Sequence, residues 1–272
     1  MQYAYAYQLN GTQAGGLDPD AKAYINAVVS AGATVNSTQR NAINNFYKNG
    51  KSQGWYGQLK RMFLPIWGIA APNAIGMISG SSGTFNGTVT HANGYVQGDG
   101  STGYFDFGSR MPTDGLTFDN GLLFALCNQA PTAASSYIGV VSGNNAQAIR
   151  AATTTAIQAR YTNTAVVLNG GNNMTGVLTV CSQANNLRSF RRRSSSGAAS
   201  LATSSTETAS FSLVNANCYA LARLQFVSTL NEPSNGRFGS YGYSLKMSDS
   251  DTDLFSLALK NLWETCTGLT LP

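Results

Sequence analysis

Gly98-Asp-Gly-Ser-Thr-Gly-Tyr-Phe-Asp-Phe-Gly108 is a turn that runs straight into a strand. Gly tolerates positive φ, and Asp and Ser side chains bond their own backbone, so the first half suits a tight reversal. Tyr104-Phe-Asp-Phe107 then alternates with a period of two, which puts Phe105 and Phe107 on one face and Asp106 on the other. The pattern recurs outward along the chain in Leu122 to Cys127, Tyr137 to Val141, Val177 to Cys181, Tyr219 to Phe226 and Tyr241 to Met247, with Gly-rich turns between. Arg188 to Ser205 reads as one hairpin with Ser194-Ser-Ser-Gly197 at its tip. Many short strands with regular turn signals predict a mainly β protein, a sandwich or jelly roll over residues 71–247.

The period is helical on either side of that region. Asp18 is a good N-cap with Pro19 at the first helical position, and Tyr24, Ile25, Val28 and Val29 share a face before Gly32. Asn36 with Gln39 forms a second start, whose apolar face is Ala42, Ile43, Phe46 and Tyr47 and whose stop is Gly50. A third short helix is expected to carry Trp55, Leu59, Met62 and Phe63 up to Pro65. Residues 17–70 thus form a small helical domain. Residues 248–272 supply a closing helix with Ser250 as its cap and Leu254, Phe255, Ala258, Leu259, Leu262, Trp263 and Cys266 on one face, packed on the sandwich. Residues 1–16 form an extended arm, with Tyr3, Tyr5 and Tyr7 on one side and Ala4 and Ala6 on the other. Tyrosine combines large contact area with a hydroxyl, so the arm is expected to contact an assembly partner, the competing reading being that it completes the chain's own sandwich.

Hydrophobic residues are 43% of the chain, enough for a real core, while charged residues are only 11% against roughly 25% in an ordinary soluble domain. Ser, Thr, Asn and Gly take over the wetting of the surface, which again leans towards strands and turns. The net charge of +5 depends on one cluster, Arg188, Arg191, Arg192 and Arg193. Such a strip is either a solvated hairpin or a contact for a polyanion or acidic partner. No wider basic surface with interleaved aromatics exists, which argues against nucleic acid as a main partner. Cys127, Cys181, Cys218 and Cys266 are too dispersed for a zinc or redox motif, and Met1 leads into no signal peptide, so free buried thiols and synthesis in a cytoplasm are expected. The most apolar window, Phe63 to Ile78, contains Pro65 and Pro72 and is too short to insert in a membrane.

Three segments, in order, carry a family resemblance. Gly98 to Gly108 resembles the early strand of concanavalin-A-like (laminin-G-like) domains of bacteriophage tail and virion proteins. The hairpin around Phe190 to Ser205 resembles their later strand pair, and Met247-Ser-Asp-Ser-Asp-Thr-Asp-Leu-Phe255 with the helix beyond it resembles their ending. The stretch from Asp20 through Ala42-Ile43 to Gln58-Leu-Lys-Arg-Met62 and Phe63-Leu-Pro-Ile-Trp67 is similar to the helical preamble such proteins carry. The resemblance spans roughly 18–268. It implies a concanavalin-A-like jelly-roll β-sandwich in a virion, as a tail, fibre, baseplate or capsid-decorating protein assembled in the host bacterial cytoplasm. Implied partners are other virion proteins, further copies of the chain (a trimer first) and a host surface glycan.

A chemistry must then be sought in the residues. His91, in strand-like Thr88 to His91, is the sole histidine, so any Ser-His or Cys-His mechanism rests on it alone. Glucanases of this fold use carboxylates close together on one strand, whereas Glu207, Glu232 and Glu264 are far apart; Asp99, Asp106, Asp114 and Asp119 remain as partners for a paired-carboxylate hydrolase. Asp249-Ser-Asp-Thr-Asp253 opens like a calcium loop, but Leu254 stands where Gly is required and Lys260 where Glu is required. No catalytic set, metal site or cofactor motif emerges. The expected function is structural, with glycan recognition as the alternative and glycan hydrolysis behind both.

Overall fold

The computed structural model describes residues 16–272, apart from 79, 118, 143–144, 154–155, 163–164, 170–174, 183–187, 195–198, 205–212 and 226–228. Helix α1 (Pro19–Ser30) starts where Asp18 accepts hydrogen bonds from the Asp20 and Ala21 amides at 3.0 and 3.4 Å. Helix α2 (Ser37–Gln53) opens with a reciprocal capping box between Asn36 and Gln39. It runs past Gly50, the expected stop, and ends at Gly54 with φ +87°. Gly50 serves packing rather than termination: a Cβ there would lie 2.6 Å from the Trp55 ring, which folds beneath the helix.

The expected third helix is absent. Tyr56–Gln58 makes a single 3-10 turn and strand β1 (Leu59–Phe63) follows. Spacing at 55, 59, 62 and 63 satisfies a helical face, but pairing settles the matter. Met62 faces the helices while Phe63 faces the sandwich core, as alternation along a strand requires.

Helix α3 (Ala70–Asn73) leads into β2 (Thr84–Asn86), β3 (Val89–Ala92), β4 (Tyr95–Gly98), β5 (Tyr104–Arg110), β6 (Leu122–Gln129) and β7 (Ser135–Ser142). Strands β8 (Asn145–Ala151), β9 (Ala156–Thr162), β10 (Ala165–Asn169), β11 (Gly176–Ser182), β12 (Arg188–Arg193) and β13 (Ala199–Ser204) follow. The chain closes with β14 (Asn217–Ala220), β15 (Arg223–Gln225), β16 (Thr229–Asn231), β17 (Arg237–Ser244) and helix α4 (Asp249–Thr267). The expected strand from Tyr219 to Phe226 is divided between β14 and β15, because Leu221 adopts φ +63°. The last strand lies earlier than read, and the cap of α4 is Ser248, not Ser250, its hydroxyl accepting from the Asp251 amide at 3.0 Å.

Two sheets result. The first runs β13-β12-β11-β6-β17-β4-β3, with β1 alongside β17; every pair in it is antiparallel. The second runs β10-β9-β8-β7-β14-β5-β2, again antiparallel, with β15 added parallel to β7 and β16 antiparallel to β15. The protein is a mainly β, jelly-roll-like sandwich preceded by helices and closed by a C-terminal helix. The expected hairpin is β12–β13, in register from Arg188↔Ser204 to Arg193↔Ala199.

Two apolar layers hold this together. Between the sheets, Phe63, Phe105, Phe107 and Tyr241 meet with ring centroids 4.7–6.0 Å apart. On the outer face of the first sheet, Leu122, Phe124 and Leu126 pack against the helices, with Phe255 sitting 4.9 Å from Phe124 and 5.4 Å from Trp55. Trp263 of α4 is fully buried and donates its indole N–H to the Gly94 carbonyl at 2.8 Å. Leu254, read as part of the buried face, is exposed. All four cysteines are free and buried.

Alanine outranks glycine within a helix by about 1 kcal/mol, so Gly50→Ala tests whether propensity or packing governs α2. The Trp55 contact is expected to prevail, with a net loss of about 1–3 kcal/mol in urea denaturation.

Candidate functional site

The arginine strip does not stand free in solvent. Along β12, Phe190 points into the inter-sheet core, so Arg191 and Arg193 point outward, towards α4. Arg191 contacts Asp249 at 2.7 Å and Asp253 at 3.2 Å. Arg193, with only 8% of its side chain exposed, reaches Asp253 at 3.3 Å and donates to Ser256 Oγ at 2.8 Å. Arg192 lies on the other face and donates from Nε to the Thr175 carbonyl at 2.6 Å. Arg188 pairs with Ser204 through the strand ladder, and its side chain lies outside the described residues, as do Tyr3, Tyr5 and Tyr7. Asp249 and Asp253, which in the sequence open like a calcium loop, are therefore the counter-charges that fix α4 to the hairpin.

The acid–base candidates separate in the same way. His91 is half-buried, its Nδ1 3.1 Å from Asn73 Nδ2 and its ring edge-on to Phe85, and burial lowers its pKa. Asp99 accepts from the amides of Ser101, Thr102 and Gly103 at 2.7–2.9 Å. Burial slightly opposes its ionisation, but these bonds hold its pKa far below the usual carboxylate range. Asp114 gathers Arg61 Nε at 2.9 Å, Ser109 Oγ at 2.7 Å and the Tyr243 hydroxyl at 2.6 Å. Burial alone would raise its pKa; the Arg61, Tyr243 and Ser109 donors outweigh that and lower it. Glu232, at φ +48°, is held by Arg150, by Arg223 at 3.0 Å and by Ser136 Oγ at 2.9 Å. Among the described residues, no three His, Cys, Asp or Glu side chains gather as a metal set. Among the described residues, no helix is long and apolar enough to cross a membrane.

What remains is the outer face of the second sheet, which α1, α2 and α4 leave uncovered. Because Phe105 and Phe107 point inward, Tyr104, Asp106 and Arg110 of β5 point outward. Strand β14 lies beside β5 with Tyr219 opposite Asp106 and Asn217 opposite Arg110, so these side chains share that face. The Tyr104 and Tyr219 rings stack at 4.6 Å with their planes 26° apart. Asn217 Nδ2 donates to both Asp106 oxygens at 3.1 and 3.2 Å, and the Gly108 amide donates to one at 2.8 Å. A carboxylate offers about four lone-pair sites, so Asp106 is oriented by these donors and keeps capacity for a further one. Burial, the Asp106 charge and Tyr104 push the Tyr219 hydroxyl up to about 12, so it remains a donor at neutral pH. The result is an aromatic platform beside a fixed carboxylate, an amide and a guanidinium. Sequence reading placed Asp106 on this face but not Tyr219, which is brought there only by the β5–β14 pairing.

No protein-family model matches the chain, and no curated protein sequence does. Solved structures do. The receptor-binding domain of botulinum neurotoxin C/D mosaic serotype superposes with a TM-score of 0.50 at 6% identity, over 73% of this chain and 50% of that one. The chain thus spans half the length of that toxin fragment. The carbohydrate-binding module CBM40 of Ruminococcus gnavus IT-sialidase, bound to α2,3 sialyllactose, gives a TM-score of 0.44 at 13% identity, over 65% of this chain and 95% of that module. At such identities the likeness is one of fold.

The Asp114 cluster ties β1 to the loop after β5 and sets an acid limit on stability. Its carboxyl has a lower pKa folded than unfolded, so its contribution is complete above about pH 4, the unfolded value, and is lost as pH falls through the folded one. Asp114→Asn is expected to cost about 1–3 kcal/mol at pH 7 and to flatten the stability profile below pH 4, as read by urea denaturation at a series of pH values.

Proposed function

We propose that this chain is a non-enzymatic bacteriophage virion protein whose lectin-like sandwich binds a host-surface glycan on the β5–β14 face. The observation that carries the reading is the stacked Tyr104–Tyr219 pair beside the Asp106–Asn217 couple. Sugars present apolar C–H faces and a rim of hydroxyls. Aromatic rings take the first, and a fixed carboxylate, amide and guanidinium take the second. The toxin receptor-binding domain supports the choice of fold for such a role. The virion setting rests on the order of the Gly98–Gly108, Phe190–Ser205 and Met247–Phe255 segments. There the protein would assemble in the host cytoplasm as a homo-oligomer, a trimer first, beside other virion proteins.

Catalysis fits the electrostatics less well. A glycosidase acid must stay protonated near neutral pH, which requires a raised carboxyl pKa. Asp18, Asp99 and Asp114 are all shifted the other way by the donors around them.

A glycan array probed with the full chain is expected to retain one class of glycan. Tyr219→Ala should weaken that binding by about tenfold or more, the loss of an aromatic contact worth about 1.4 kcal/mol, with the thermal midpoint little changed. An array with no retained glycan at high protein concentration would leave only an architectural role. Labelling of particles with an antibody to this chain tests the virion setting separately.

A further inference from the structure

The helical side of the molecule carries a second feature, a groove of about 360 Å³ between α2 and α4. Gln39 Nε2 donates to the Cys266 carbonyl at one end, while Trp55 bridges Phe46 to Phe255 at the other, so the two helices run antiparallel along it. Asn41, Asn45 and Asn49 line the α2 wall. Placed four residues apart, their amides recur roughly every 6 Å at a rise of 1.5 Å per residue. Between the walls the lining is apolar, with Ala42, Phe46 and Leu262; Phe46 and Leu262 are each only 3% exposed.

That arrangement has a natural ligand in physical terms. An extended backbone turns its N–H and C=O groups to the same side every second residue, about every 6.6–6.8 Å. An amide side chain can both donate to and accept from such a backbone. Three amides spanning about 12 Å therefore match five extended residues spanning about 13 Å. With the backbone directed at the walls, alternate side chains face the floor, and an apolar floor selects large flat ones.

The chain holds one segment of that kind outside the described residues. Gln2-Tyr-Ala-Tyr-Ala-Tyr-Gln8 has no charged side chain and sets three rings on one side with a two-residue period. The described chain begins at an exposed Gly16, close to α2: the Asp18 amide donates to Asn44 Oδ1 at 2.7 Å, and its carboxylate meets Lys51 at 2.7 Å. Asn44 and Lys51 lie roughly 110° around α2 from the centre of the asparagine wall, at 100° per residue. Passing that far around a helix 10–12 Å wide takes less than about 19 Å, whereas the eight residues from Gln8 to Gly15 reach about 26 Å or more. The tyrosines can thus reach the groove of their own chain.

We propose that the α2–α4 groove is a binding site for an extended peptide, and that residues 2–7 of the same chain occupy it. Tyr3, Tyr5 and Tyr7 then lie on the Phe46–Leu262 floor, and their backbone is clamped by Asn41, Asn45 and Asn49. This assigns the arm a seat within the chain in place of a partner, and it is independent of the glycan reading.

Hydrogen exchange on the full chain, followed by mass spectrometry, tests it. The amides of residues 3–7 should exchange at least about tenfold more slowly than in a free peptide of the same sequence. Asn45→Ala/Asn49→Ala should return them to the free-peptide rate while amides of β6 keep theirs. If β6 also loosens in that variant, competition decides: an excess of the free peptide spanning residues 2–8 should release the arm of the unaltered protein. Exchange at the free-peptide rate in the unaltered chain would overturn the proposal. So would protection that neither the variant nor the peptide removes, or protection that disappears on strong dilution, which marks an arm lodged in another copy.

Discussion

Strand β6 is apolar on both faces, and the remainder of the structure follows from the need to cover it twice. Leu123, Ala125 and Cys127 face the core between the sheets, while Leu122, Phe124 and Leu126 face the helices. Six consecutive buried residues in a central strand cannot be accommodated by a two-layer sandwich alone. At about 25 cal/mol per Å² of apolar surface removed from water, uncovering one such face would cost several kcal/mol for the leucines and Phe124 together. A third layer is therefore obligatory, and α2, α4 and the 55–66 segment provide it. The same reasoning explains why α4 is fastened so firmly: its Trp263 and Phe255 cover the sheet while Arg191 and Arg193 hold its first two turns through Asp249, Asp253 and Ser256.

Legibility from sequence tracks how local the deciding interaction is. The caps at Asp18 and Asn36 were readable because donor and acceptor lie within three residues of each other. Strands β5, β6, β7 and β11 were readable because their apolar runs are bounded by turn residues. The expectation for 55–63 failed because Leu59, Met62 and Phe63 fit both periods. Only the open edge of β17, some 180 positions along, selects the strand. Strands β8 and β9 were missed for a related reason. Gln147 and Ala148 are buried, yet one is polar and the other small, so hydrophobic period carries little signal there.

Charge was less legible than hydrophobicity. Four arginines within six residues looked like a surface feature, and the three aspartates of 249–253 looked like the opening of an incomplete calcium loop. Each reading was reasonable locally, yet the two groups answer one another across the sheet: Arg191 and Arg193 stand beside Asp249 and Asp253. The candidate glycan face shows the same limit. Period two along Tyr104-Phe-Asp-Phe107 already turned Tyr104 and Asp106 away from the core, but the second ring of the platform comes from Tyr219, more than a hundred residues on.

The three-layer arrangement also divides the surface by chemistry. Helices on one sheet leave the outer face of the other as the broad strand surface on which side chains project in register, every second residue along each strand. Such a surface suits a ligand recognised by several converging groups at once, and rings are held there without long flexible stems. The helical side offers a groove with repeating amides, whose spacing suits a main chain better than a sugar. A chain that seats its own arm and also meets an outside ligand gains from keeping the two on opposite sides, since neither contact then displaces the other. The sandwich between them, with its aromatic centre of Phe63, Phe105, Phe107 and Tyr241, is rigid enough to hold both surfaces at a fixed separation.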